Sequence, residues 1–258
     1  MKYLYLDCST GVSGDMLLAS MAHALEELDG PGAGFDFLQS ELARLGLDGF
    51  HLEFSCKSVS HISTRHVDVV QTKDQPLRTL SDLQRIIEAS ELPERAASRS
   101  LEAVELLARA EAKVHGVDVD RIHFHEIGAV DTIADICGSM VLAEALGVDR
   151  IVCSPVDLGS GFVQIAHGTL PVPAPACAEL ATGLAVFATP CGMERATPTG
   201  LAVLRTLADE CGSLPLGTVR AVGYGSGGRS CDEQPTYVRA FVLESVAVQP
   251  MVREHAHG

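Results

Sequence analysis

The opening residues constrain the fold more than any other stretch. "KYLYLDCS" has strand composition, "TGVSG" is a glycine-bearing turn, and Met16, Leu17, Ala19, Ser20, Met21, Ala24 and Leu28 then fall at helical spacing. A strand that turns tightly into a helix is the building unit of an α/β protein. "DGPGAG" is a loop, and "FDFLQSELARLG" is a second helix closed by Gly46.

The alternation continues along the chain. "FHLEFSCKSV" and "STRHVDVVQT" read as a strand pair. "TLSD" from Thr79 is a capping-box-like start with Asp82 three residues on, which turns Leu83, Ile86 and Ile87 toward a core. Pro93 opens the longest helix, "ERAASRSLEAVELLARAEAKVHG", whose positions 97, 101, 104, 108 and 112 form one stripe expected to pack on a sheet. "AVDTIADICGSMVLAEALG" is another helix. "RIVCSPVDLGSGFVQIAHGTLPVP" reads as short strands and turns, "APACAELATG" as a short helix, "LAVFAT" as a strand, and "TPTGLAVLRTLADECG" as a helix. "TVRAVGYGSGG" and "YVRAFVLESV" close the chain as strands. The antiparallel-looking pairs predict an α/β fold with a mixed β-sheet flanked by helices, as one domain over residues 1–245 with a polar tail at 246–258.

Composition removes several function classes. The formal charge of −15, from 34 acidic and 19 basic residues, argues against nucleic acid as a partner. No apolar run is long enough to span a membrane, and no leader pattern is visible at the start. Eight cysteines are scattered with no C-x-x-C pair, which reads as reduced thiols in a cytoplasm rather than a disulfide framework or zinc ribbon.

The stretch "RIHFHEIGAVDTIADI" concentrates metal-capable side chains. His123 and His125 are two apart, so on an extended segment they share a face, whereas on a helix they diverge by about 200°. Asp131 and Asp135 are four apart on the following helix and share a face there. Together they would form a mixed nitrogen and oxygen site suited to nickel, zinc, manganese or iron. The alternative is that one histidine caps a helix and Asp131 merely favours a helix start. Asp135 resists that alternative, because a charge among Ile133, Ala134 and Ile136 needs a partner.

Other stretches leave two readings each. In "LDCSTGVSGDM", Asp7 at a strand end and Asp15 at a helix start either bind a divalent cation or form a tight turn and cap. Thr197 and Thr199 in "ATPTG" sit at a helix start, where hydroxyls cap or bind phosphate. "GYGSGGRS", with Gly225 and Arg229, either cradles a phosphate or is an ordinary turn. His167 precedes Pro171, Pro173 and Pro175, a stiff segment that is either a wall near a site or a connector.

Taken in order, "LYLDCSTGVSGDM", "HFHEIGAVDTIADICG", "SPVDLGSG", "AHGTLPVPAPA", "ATPTG" and "VGYGSGG" resemble the LarC family over roughly residues 3 to 244. These are nickel insertion proteins that make the nickel-pincer nucleotide cofactor of lactate racemase. The resemblance implies insertion of nickel into pyridinium bisthiocarboxylic acid mononucleotide, driven by CTP with manganese or magnesium. It also implies a homo-oligomer. A base would remove the ring proton that the metal displaces, with His125 or Glu126 as the candidate. Full-length members carry a further C-terminal region, sometimes encoded separately. This chain resembles the N-terminal portion alone, so a separate C-terminal insertase chain is an expected partner and the CTP site is expected to lie there. A His-rich loop common in the family is replaced here by "QTKDQPLRT".

Overall fold

The computed structural model describes residues 1–74, 76, 78–122, 130–165, 168–228 and 235–246. The strand–turn–helix opening forms as β1 (Lys2–Asp7) and α1 (Gly14–Asp29). Helix α2 (Phe35–Ala43) follows, then the long hairpin β2 (Phe50–Val59) and β3 (Ile62–Gln71), which pair antiparallel throughout. Helices α3 (Leu80–Glu88), α4 (Glu94–His115) and α5 (Val130–Ala145) come next. The second half alternates short pieces: β4 (Arg150–Cys153), β5 (Val156–Asp157), β6 (Phe162–Ile165), β7 (Gly168–Pro171), α6 (Pro175–Leu180), β8 (Val186–Phe187), α7 (Pro198–Leu207) and β9 (Glu210–Cys211). Strands β10 (Gly217–Ser226) and β11 (Tyr237–Ser245) end the described chain.

The main sheet has the order β2-β3-β10-β11-β1-β4-β9. It is mixed: β1 runs antiparallel to β11 and parallel to β4, and β10 is antiparallel to β11 and parallel to β3. Strand alternation sorts β1 onto two faces. Leu4 and Leu6 enter the main core, with α1, α4, α5 and α7. Tyr5, with Tyr3 beside it, meets Val152, Leu243 and Phe241 in a small second cluster. Leu17, Leu18 and Met21 of α1 are fully buried, each worth about 1.5–3 kcal/mol of apolar transfer.

Helix α1 reaches β10 because that strand lacks side chains where the two touch. A Cβ at Gly223 would lie 1.9 Å from the Ser20 carbonyl oxygen, and one at Gly225 would lie 2.2 Å from that of Met16. The backbones therefore approach as only glycine permits.

The capping box at the start of α3 is present. Thr79 accepts from the Asp82 N–H at 3.3 Å, and the Asp82 carboxylate accepts from the Thr79 N–H at 3.0 Å. Thr79→Ala is expected to lower unfolding stability by about 1 kcal/mol, read as an earlier urea midpoint with an unchanged slope.

Two expectations are corrected. Helix α4 packs among α3, α5, α6 and α7 rather than on the sheet. Its buried face runs through Ala96, Ser100, Ala103, Val104, Leu107 and Ala108, while Ala97 and Leu101 are only partly buried. Glu210 and Cys211, read as the end of a helix, leave it after Leu207 and pair with β4 as a seventh strand. Of the expected tail, residues 247–258 lie outside the described residues. Among the described residues, no helix is long and apolar enough to cross a membrane.

Candidate functional site

Three helix starts meet where β1 and β10 end. Ser13 is the extended N-cap residue of α1, and its hydroxyl donates to the Asp15 carboxylate. That carboxylate also accepts the Met16 N–H at 2.8 Å and, on its other oxygen, the Gly228 N–H at 2.9 Å. Asp15 thus closes the first turn of α1 onto the glycine loop after β10. A carboxylate suits that position, since unpaired N–H groups and the helix dipole favour negative charge there.

The second start is that of α7. Thr197 is its N-cap, accepting the Gly200 N–H at 3.2 Å, and the Thr197 N–H donates to the Val12 carbonyl at 2.9 Å. A Cβ at Gly200 would stand 2.6 Å from the Ser13 Cα, so the first turn of α7 rests directly on the entry to α1. Thr199 lies in that same turn.

Helix α5 supplies the third. Asp131, exposed in its first turn, accepts the Thr132 N–H at 2.8 Å. One turn on, Asp135 lies against Gly14, where an added Cβ would be 2.4 Å from its Oδ2. Desolvation, followed by the charges of Asp15 and Asp131, pushes the Asp135 carboxyl well above the usual carboxylate range. Three carboxylates therefore share one region, and together they disfavour the ionised form of the most recessed one.

The other expected site residues fall as follows. Asp7 is buried and paired with Arg239, whose Nε donates to it at 2.9 Å, while the Ser9 N–H donates at 3.1 Å. Burial works to raise this carboxyl, but the hydrogen bonds from Ser9 and Arg239 hold it below its usual value. An acid with a lowered folded pKa adds stability that is present above the unfolded value, near 4, and is lost as pH falls through the folded value. Asp7→Asn is therefore expected to cost on the order of 1 kcal/mol at pH 7 and progressively less below pH 4. Urea midpoints of both proteins across that range check it.

Gly225 has its open side filled by the α1 backbone, so packing accounts for its lack of a side chain. His123, His125, Glu126, His167 and Arg229 lie outside the described residues. Among the described residues, no group of three or more histidine, cysteine, aspartate or glutamate side chains is arranged to hold a metal ion.

Sequence reasoning missed a buried ion pair behind this site. Asp157, fully buried at the end of β5, accepts N–H bonds from Gly159 at 3.0 Å and Thr189 at 2.9 Å. Its second oxygen lies 3.5 Å from Arg195, which also donates to the Thr10 carbonyl at 3.2 Å. The pair fixes the loop before α1, because the Val12 N–H in turn donates to the Arg195 carbonyl at 2.8 Å. A charged Asp157 after an apolar Val156 was the available signal, but its partner is remote in sequence.

Carboxylates from two helices, Asp15 of α1 with Asp131 and Asp135 of α5, come together at these helix starts. The chain belongs to the nickel insertion protein family, whose model matches residues 4–256. Nickel is the metal that this family handles. The chain is 44% identical over 227 residues to the pyridinium-3,5-bisthiocarboxylic acid mononucleotide nickel insertion protein of Desulfitobacterium hafniense, an alignment covering 88% of this chain and 55% of that protein. It is 39% identical over 246 residues to the protein of the same name from Staphylococcus epidermidis, covering 95% of this chain and 60% of that one. The chain spans little more than half the length of these curated relatives. No solved structure matches it.

Proposed function

We propose that this chain is the N-terminal component of an insertase that places nickel into pyridinium-3,5-bisthiocarboxylic acid mononucleotide, giving the nickel-pincer nucleotide cofactor of lactate racemase. The observation that carries the reading is the match to relatives of that name over 88–95% of this chain. The carboxylate region supports it. Asp15, Asp131 and Asp135 supply oxygen donors, and His123 and His125, just ahead of α5 in sequence, would add the nitrogen donors that nickel favours. Such a mixed set holds nickel loosely enough for the substrate's sulfur atoms to take it. His125 or Glu126 would accept the ring proton that nickel displaces, since either is a competent base. Thr197 and Thr199, at the helix start that rests on Val12 and Ser13 ahead of α1, suit the phosphate of the mononucleotide.

The oxygen donors fit manganese or magnesium equally well, so a divalent cation accompanying CTP could use the same carboxylates. CTP itself is assigned to the remaining length of the relatives, as a separate chain or region. A reducing cytoplasm suits the scattered thiols. The short span relative to the relatives favours a second reading, in which this chain binds nickel or the mononucleotide and a partner completes the chemistry.

Reconstitution separates the two. Purified chain is mixed with the mononucleotide, nickel, manganese and CTP, and the product is followed by mass spectrometry. Nickel-bearing product from the chain alone supports a complete insertase site within it. A folded, nickel-bound protein that yields no product makes it the binding component.

A further inference from the structure

Cys153 ends β4 and Cys211 ends β9, and the parallel register sets them directly opposite each other. Neighbouring strands lie about 4.8 Å apart, within the roughly 4.4–6.8 Å Cα separation a disulfide requires. Paired residues also project to the same side of a sheet. The two sulfurs sense each other: burial first, then Cys211, pushes the Cys153 thiol up to about 12. Cys153 is fully buried and Cys211 half-buried. Both line an open pocket of about 220 Å³, with Thr182, Arg205, Asp209 and Glu210 around them. Neither thiol belongs to the carboxylate region.

We propose that Cys153 and Cys211 form a dithiol modification site that closes to a disulfide by exchange with a low-molecular-weight disulfide entering this pocket. Cys211 is the attacking group, because it is the more exposed of the two; its S–H donates to the Ser154 carbonyl at 3.3 Å. After losing its proton to solvent, its thiolate attacks one sulfur of the incoming disulfide. A mixed disulfide forms and the first small thiolate leaves. Cys153, deprotonated in turn, attacks the Cys211 sulfur, and the second small thiolate leaves. Two electrons pass from the protein to the small disulfide, and the two thiol protons end on its two halves. Arg205 in the same pocket suits the carboxylates of a peptide-type disulfide.

The new bond would tie β9, only two residues long, to β4. It would close a loop that contains α7 and its Thr197 cap. Constraining so long a loop in the unfolded chain is expected to raise the melting midpoint by a few degrees.

The test uses the full chain and glutathione disulfide at neutral pH. The reaction is acid-quenched, and the protein is unfolded, alkylated and mapped by mass spectrometry. The expected product carries two fewer alkyl groups, joins the peptides of Cys153 and Cys211, and returns to the starting mass with dithiothreitol. Cys153→Ser is expected to stop at a glutathione adduct on Cys211, and Cys211→Ser to leave Cys153 unmodified. Full alkylation of both cysteines in the wild-type protein, or a cross-link through other cysteines, overturns the proposal. So does a folded Cys153→Ser protein with no adduct on Cys211. The wild-type map decides the matter even where a variant fails to fold.

Discussion

Asp135→Asn is expected to lower nickel transfer by about 10–100-fold, the usual loss when a metal ligand or its support is removed, while raising stability in metal-free buffer. The two effects have one cause. Asparagine keeps the volume that rests on Gly14, so packing is preserved. It removes a charge that desolvation, Asp15 and Asp131 all oppose. An acid whose folded pKa is raised adds stability that is full below its unfolded value, near 4, and declines as pH rises through the folded value. At pH 7 the wild-type protein has less of that stability than at pH 4, and the amide has nothing to lose. The variant's melting midpoint should therefore rise by about 2–4 °C for each kcal/mol relieved, and the gain should shrink toward pH 4. Thermal melts at both pH values, beside nickel transfer or nickel retention by dialysis, read the two effects. A variant less stable at pH 7 would mean that Asp135 is an anion the fold requires. A variant with full transfer would remove it from the site.

The fold was legible in sequence where the signal is local. Helical spacing after a glycine turn locates α1, and the Thr79 and Asp82 pair marks the start of α3. The mixed sheet followed from antiparallel-looking neighbours, and β2–β3 and β10–β11 pair in that way. Misreadings came where partners decide. The expected stripe on α4 takes in Ala97 and Leu101, which are only partly buried, beside Val104, Ala108 and Ala112, which are buried. Its buried face instead uses Ala96 and Ser100, whose hydroxyl turns inward onto the Ala96 carbonyl at 2.8 Å, because small residues let neighbouring helices approach. Strand β9 exists only because β4 lies beside it.

The candidate site divides in the same way. Asp15, Asp131, Asp135 and Thr197 stood out as polar residues at helix starts, and contacts made through Gly14 and Gly200 bring those starts together. That Asp7 pairs with Arg239, and Asp157 with Arg195, depends on contacts between distant segments that no window of sequence contains.

The glycine loop offers the sharpest separation of packing from ligand binding. Gly225→Ala would place a Cβ 2.2 Å from the Met16 carbonyl oxygen and 2.4 Å from the Ser20 amide nitrogen. Both obstacles are helix backbone, which cannot rotate away as a side chain can. Either β10 or α1 must move, and α1 is also held by α5 and by the first turn of α7. The expected cost is about 3 kcal/mol or more, a large fraction of the roughly 5–15 kcal/mol that holds a domain folded. It would appear as a melting midpoint lower by about 10 °C. Gly228→Ala is the control. Its added Cβ meets no described atom within 4 Å, and its N–H still donates to Asp15. It should change stability by less than about 0.5 kcal/mol. If Gly225→Ala melts with the wild-type protein yet loses mononucleotide binding, the loop serves the ligand rather than the seating of α1. If it melts early while Gly228→Ala does not, the glycine at 225 is there for the helix, and phosphate recognition has to come from the α7 turn instead.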